Sequence, residues 1–238
     1  MSHRLASPAV TNQRKHAADS LDYFPTPPFA ARALMQELVI PIVGPTDQLT
    51  ALDPACGELH MVHGLNDYFL RVAYSDVYDW GEQPPIRDFT FETRASMQAD
   101  RLRIPEWIIT NPPFNLLEEF VLKALEIATV GVAMFVRINA LPGQGRYNRI
   151  YCACPPTVVG VFAERIALIE GAYDPEAATA TDYIWLVFIK GEAPRPIFFF
   201  PPGMAAKYTR LSDLAFAKPG ETARRAAARK AAQKADAS

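Results

Sequence analysis

A short apolar run that leads straight into two prolines constrains this chain more than any other stretch. Ile108 and Ile109 run into Thr110-Asn111-Pro112-Pro113-Phe114, and apolar residues then fall at 116, 117, 120, 121, 124, 125 and 128. That spacing is helical, with Glu118, Glu119, Lys123 and Glu126 left on the outer face. Consecutive prolines admit neither a ladder strand nor a helix interior, so the backbone between the two elements is stiff and extended. The layout predicts a buried strand ending at a site, followed by a helix that packs back on the sheet.

The same alternation recurs along the chain. Leu49 to Asp53 reads as an apolar strand breaking into the small-residue turn Pro54-Ala55-Cys56-Gly57. Residues 60 to 70 suit a helix, Leu70 to Asp76 a second strand, and Arg94 to Arg103 another helix. Val130 to Ile138 is an apolar strand of the kind buried on both faces in parallel sheets. Thr157 to Phe162 and Asp182 to Ile189 read as two further strands, and Ile197 to Phe200 as a short one whose edge needs cover. Ahead of them all, Thr26 is placed to cap a helix starting at Pro27 or Pro28, with Phe29, Ala30, Ala33, Leu34 and Leu38 on its apolar face. Loop motifs at the carboxyl ends of strands that alternate with helices are the signature of a doubly wound sheet.

Composition bounds the rest. Half of the 238 residues are hydrophobic, enough for one sizeable core. We expect a flexible N-terminus over 1–20, a single domain over 21–218 with loop insertions near 140–156 and 170–182, and a basic Ala-rich tail over 219–238. The tail holds Arg224, Arg225, Arg229, Lys230 and Lys234 in a chain of net charge −2, so it is either a solvated helix or an arm that touches phosphates. No run of 18 apolar residues and no apolar signal core is present, so the expectation is a cytoplasmic protein with no membrane span. Cys56, Cys152 and Cys154 give no disulfide framework, and no metal is expected. His60 and His63 read as helix-surface histidines. The loop from Asn139 to Thr157, with Arg146, Tyr147 and Arg149, is either a nucleic-acid contact or a plain connection.

A rigid carbonyl beside an Asn amide and an aromatic face suits the grip on a planar group carrying an amine. Asn111-Pro112-Pro113-Phe114 resembles the catalytic motif of S-adenosylmethionine-dependent amino-methyltransferases, whose pattern is Asp/Asn/Ser-Pro-Pro-aromatic. Phe24-Pro25-Thr26-Pro27 resembles the Phe-x-Thr-Pro segment near the methionine end of the cofactor, and Asp53-Pro54-Ala55-Cys56-Gly57 is similar to the cofactor loop Asp-Pro-x-x-Gly-x-Gly. Asp76, with Asp79 as fallback, stands where the family holds the ribose diol. Asp88-Phe89 resembles the motif whose acid accepts from the cofactor's adenine amine and whose neighbour packs on that ring. Over about residues 22 to 190 the chain resembles small adenine-N6 DNA methyltransferases of the kind often carried by bacteriophages.

That resemblance implies a Rossmann-like class I methyltransferase fold: α/β, a mostly parallel seven-stranded sheet with an antiparallel last strand. It implies S-adenosylmethionine as cofactor, bound by Phe24, Thr26, Pro27, Asp53, Pro54, Ala55, Gly57, Asp76, Asp88, Phe89 and Asn111. It implies catalysis by Asn111, Pro112, Pro113 and Phe114 on the N6 amine of adenine in DNA, with Tyr183 or Trp185 against the flipped base. Cytosine N4, an RNA base or a protein glutamine remain open as the amine, and so does a catalytically silent nucleic-acid-binding module. The chain departs from the pattern at Leu59, where the family has a second glycine. A leucine there either crowds the methionine moiety or makes the loop swing.

Overall fold

The computed structural model describes residues 23–177 and 181–236; the flexible segment expected over 1–20 lies outside them. Its first helix, α1 (Pro28–Ala33), continues through a π-helical stretch, Leu34–Val39, and one more α-turn, Ile40–Val43. There follow β1 (Thr50–Asp53), α2 (His60–Leu65), β2 (Arg71–Tyr74), α3 (Arg94–Ala99), β3 (Trp107–Thr110), α4 (Leu117–Ile127) and β4 (Gly131–Arg137). After β4 come the short α5 (Gln144–Arg146), β5 (Val158–Phe162), β6 (Tyr183–Ile189), β7 (Phe198–Phe200), α6 (Met204–Tyr208) and α7 (Glu221–Asp236).

These strands make one seven-stranded sheet in the order β2-β1-β3-β4-β6-β5-β7. All neighbours are parallel except at β6, which runs against both β4 and β5. The mostly parallel sheet expected is therefore observed, with the hairpin-like insertion made by Tyr183–Ile189. The short β7 follows it and pairs with the far side of β5. Among the described residues, an isolated bridge joins Asp76, just after β2, to Ile86.

Strict alternation across the central strands explains why they read as unbroken apolar runs. Trp107, Ile109, Ala133, Phe135, Trp185 and Val187 point into one core with α1 and α2. Ile108, Val132, Met134, Val136, Ile184, Leu186 and Phe188 point into the other, under α4. Both faces are covered, so no position needs to be polar. α4 supplies Leu117, Phe120, Val121, Ala124 and Ile127 to that second core. Each of its large buried side chains contributes roughly 1.5–3 kcal/mol.

Two tertiary devices position the N-terminal helix. Arg32, on α1, forms a bidentate pair with Asp213 at 2.6 and 2.9 Å and bonds Asp67 at 2.8 Å, clamping the C-terminal segment onto the first core. Gly64 lets α2 lie against α1: a Cβ there would stand 2.5 Å from the Pro28 carbonyl oxygen and 3.0 Å from the Ala31 Cβ. A main-chain oxygen cannot rotate away. We expect Gly64→Ala to cost about 1–3 kcal/mol of stability, as overpacking does, measured by urea denaturation; an unchanged midpoint would contradict the close approach.

Candidate active site

Asn111 is the first residue beyond β3. Its Nδ2 donates to the carbonyl oxygen of Phe24 at 2.8 Å, which fixes the orientation of the amide. The other end, Oδ1, is buried and accepts no hydrogen bond. Leaving an acceptor so costs about 1–3 kcal/mol, and an acceptor held there by a dedicated bond marks a place for an incoming donor. Pro113 keeps the extended backbone (φ −52°, ψ 133°), and Phe114 opens a single 3₁₀ turn, Phe114–Leu116, into α4. The rings of Phe114 and Phe24 lie 5.1 Å apart.

On one side of this turn is a cleft of about 790 Å³, counted with its open mouth. Its walls include Phe24 and Thr26 before α1, Asp53, Pro54 and Ala55 after β1, and Asp76 after β2. Asp88 and Phe89 close the far end, while Asn111 and Pro113 form the side shared with the Pro-Pro turn. Pro27 and Gly57 stand behind this lining rather than in it. Gly57 takes φ +53°, and a Cβ on it would lie 2.3 Å from the Tyr23 ring. Its N–H donates to Asp76 Oδ2 at 2.9 Å, while Asp76 Oδ1 accepts from Tyr78 N at 3.0 Å. Asp79, by contrast, does not line the cleft and accepts from the N–H groups of Gly81 and Gln83 in its own turn. Asp88 is exposed at the rim and accepts from the N–H and hydroxyl of Thr90. Phe89 is buried 5.1 Å from Phe120.

Several sequence readings need correction. Pro27, not Thr26, is the cap residue of α1, and no side chain caps it. Thr26 Oγ1 is buried without a partner, and the residue lines the cleft. His60 is not a surface residue: it is 3% exposed and lines the cleft. Burial pushes its imidazole down to about 4, so it is neutral at ordinary pH. Leu59 takes the left-handed conformation (φ 63°, ψ 14°) that a glycine would take, and its side chain packs on the first core instead of lining the cleft. The loop keeps glycine geometry at a strain of roughly 1–2 kcal/mol. Tyr23 and Trp80 were not singled out from sequence. Their rings stack at 4.2 Å beside the cleft, and the Tyr23 hydroxyl donates to Glu58 at 2.9 Å. Tyr78 and Trp80 in the polar turn after β2 were the available signal.

A second cavity of about 530 Å³ lies across the Pro-Pro turn, walled by Pro112, Phe114, Leu117, Val136, Arg137, Asn139, Ala140 and Arg146. Tyr183 and Trp185 do not reach it; both pack in the core against Phe135, at 5.3 and 4.8 Å. The segment 140–156 is folded, as α5 and a π-helical stretch, Tyr147–Tyr151. Arg146 donates to the carbonyls of Asn139, Ala140 and Pro142, and Arg149 pairs with Glu118 at 2.9 Å. These two arginines therefore have intramolecular work. In the tail, Arg224 and Arg225 pair with Glu221, and Asp174 accepts from the N–H groups of Gly220 and Thr222 at the start of α7. The side chains of Arg229, Lys230 and Lys234 lie outside the described residues. Among the described residues no three His, Cys, Asp or Glu side chains group as a metal site, and no helix is long and apolar enough to cross a membrane.

No protein-family model matches the sequence, and no curated sequence does. Solved structures do match. A protein described as a class I S-adenosylmethionine-dependent methyltransferase from Listeria monocytogenes aligns with TM-score 0.55 at 11% identity, over 87% of this chain and 73% of that one. The modification subunit of a type I restriction enzyme from Vibrio vulnificus aligns with TM-score 0.52 at 13% identity, over 81% and 50%. The methyltransferase subunit of a type I restriction-modification system from Streptococcus thermophilus gives 0.53 at 13%, over 79% and 49%. This chain spans about half the length of those two subunits. The fold is the class I methyltransferase fold.

Asp53 yields a pH prediction. Burial raises its carboxyl from 3.8 to about 7, against the pull of the Thr110 hydroxyl and the Ala55 N–H. Between those values the folded state holds a proton that the unfolded state has released, so this group's contribution to stability falls as pH rises from about 4 to about 7. Asp53→Asn should match wild type near the low end of that window and exceed it above pH 7, in thermal melts across pH. Parallel curves would contradict the protonated state.

Proposed function

We propose that this protein transfers a methyl group from S-adenosylmethionine to the N6 amine of adenine in DNA, within one catalytic domain spanning 21–218. The observation that carries the reading is the Asn111 amide, locked by the Phe24 carbonyl, with its oxygen buried and unpartnered in a residue that lines the cleft. The methyltransferase fold supports it, and so do the restriction-modification contexts of two of the similar structures.

The cleft on the Asn111 side fits the cofactor. Asp76 is the buried acid for a ribose diol, Asp88 and Phe89 stand at the adenine end, and the unpartnered Thr26 hydroxyl and neutral His60 offer polar contacts at the methionine end. Bound there, S-adenosylmethionine supplies a methyl group on a sulfonium sulfur, which departs as a neutral thioether. The residues of this chain do the rest. An adenine amine is a poor nucleophile because its lone pair is spread into the ring. Asn111 Oδ1 and the Pro112 carbonyl each accept one N–H, which localises that pair and aims it at the methyl carbon. Phe114 holds the base once it has left the duplex. The amine's surplus proton leaves to water, since neither acceptor is basic enough to keep it. Catalysis here is positioning and electrostatics rather than general-base chemistry.

Removing one such acceptor should lower the transfer rate about 10²–10³-fold. Asn111→Ala is expected to show that loss in single-turnover transfer of labelled methyl to DNA, with cofactor affinity by calorimetry changed about twofold at most. Asn111→Asp, which keeps an acceptor, should retain part of the rate. Equal loss of cofactor binding and transfer in Asn111→Ala would contradict the division of roles. Leu59→Gly should leave cofactor affinity unchanged, because the side chain does not line the cleft.

A further inference from the structure

A guanidinium lies against Phe114 in the wall of the second cavity. Arg137 ends β4, the strand next to β3, so it stands beside the Asn111 turn. Its Cζ lies 3.8 Å from the centroid of the Phe114 ring and 5.2 Å from that of Phe24. The first distance is direct stacking contact, with no space for another group between. Its Nε is buried and has no hydrogen-bond partner, so the π contact leaves that one donor unsatisfied. Tyr183, its cross-strand partner in the sheet, is 3% exposed and turns its ring to Phe135. Among the described residues, no aromatic ring other than that of Phe114 lines this cavity.

We propose that Arg137 is the second wall of the target slot. With the slot empty it rests on Phe114; when a flat heteroaromatic amine is seated, it moves off Phe114 and stacks on that ring's free face. Guanidinium planes and aromatic rings both stack on bases, and a cation favours the face of an electron-rich ring. A glutamine side-chain amide offers no ring to sandwich. The inference rests on the methyl-transfer reading above and narrows its substrate to a nucleobase. Arg137 acts here as a positioning and specificity residue, since Asn111 and Pro112 meet the reacting amine.

The test compares wild type with Arg137→Ala and Arg137→Lys on duplex DNA, on RNA and on a glutamine-containing peptide. Calorimetry with S-adenosylmethionine and DNA binding by anisotropy accompany the kinetics. Stacking on a base is worth enough to change affinity about tenfold. We expect Arg137→Ala to raise KM for the nucleic acid, and to weaken its binding, about tenfold, with kcat and cofactor affinity changed much less. Arg137→Lys keeps the charge but not the planar fork and should recover little. Wild-type KM in Arg137→Ala, or full recovery in Arg137→Lys, would overturn the slot while leaving methyl transfer intact. Methylation of the peptide in preference to DNA and RNA would also overturn it. A wild type that binds cofactor and methylates none of the three would remove the functional reading itself, and the slot with it.

Discussion

The hydrogen bond from Asn111 Nδ2 to the Phe24 carbonyl joins residues 87 positions apart, and the chemistry of the site depends on it. An asparagine amide free to rotate would present donor and acceptor about equally; one whose nitrogen is committed presents only oxygen. The partner is a main-chain carbonyl in a proline-rich segment, Phe24-Pro25-Thr26-Pro27-Pro28, where proline restricts the backbone on both sides. That segment is in turn held by α1, which Gly64 and the Arg32–Asp213 pair press against the rest of the first core. The acceptor's direction is thus set by packing far from the cavities.

The turn divides two spaces of different character. The cleft side has the buried carboxyl groups of Asp53 and Asp76, a neutral histidine and Thr26, suited to a polar, nucleoside-bearing ligand. The other side has a proline carbonyl, a phenyl ring and a guanidinium, suited to a flat group with an amine. Asn111 and Pro113 line the cleft while Pro112 and Phe114 line the other cavity, so a methyl group crossing from one to the other would pass this turn. Charge follows the same division. The arginines of the loop that follows β4 are spent on carbonyls and on Glu118, whereas Arg137 makes its contact inside the cavity.

The elements were legible because parallel strands buried on both faces leave long apolar runs, and because α4 repeats its apolar residues at helical spacing. The motif positions were legible because each falls where a strand must end. What escaped were properties decided by distant residues. Thr26 has the chemistry of a cap, yet Pro27 takes that place and the Thr26 hydroxyl is buried without a partner. His60 looks like a surface histidine in a short polar helix until Tyr173 and Phe216, from the far end of the chain, close over it at 6.2 and 5.0 Å. Leu59 breaks a glycine pattern in sequence but keeps the glycine conformation in space, with its side chain absorbed by the core. Arg137 reads as the last residue of a strand, and only the folded chain brings the rings of Phe114 and Phe24 to its guanidinium.

Identification of the methylated atom tests the central claim most directly. Wild-type protein incubated with S-adenosylmethionine and unmethylated duplex DNA, followed by digestion to nucleosides and mass spectrometry, should yield N6-methyladenine as the new nucleoside. Methyl groups found on a ring nitrogen, on a carbon, or on no nucleoside while the cofactor is bound would contradict an Asn111 acceptor aimed at an exocyclic amine.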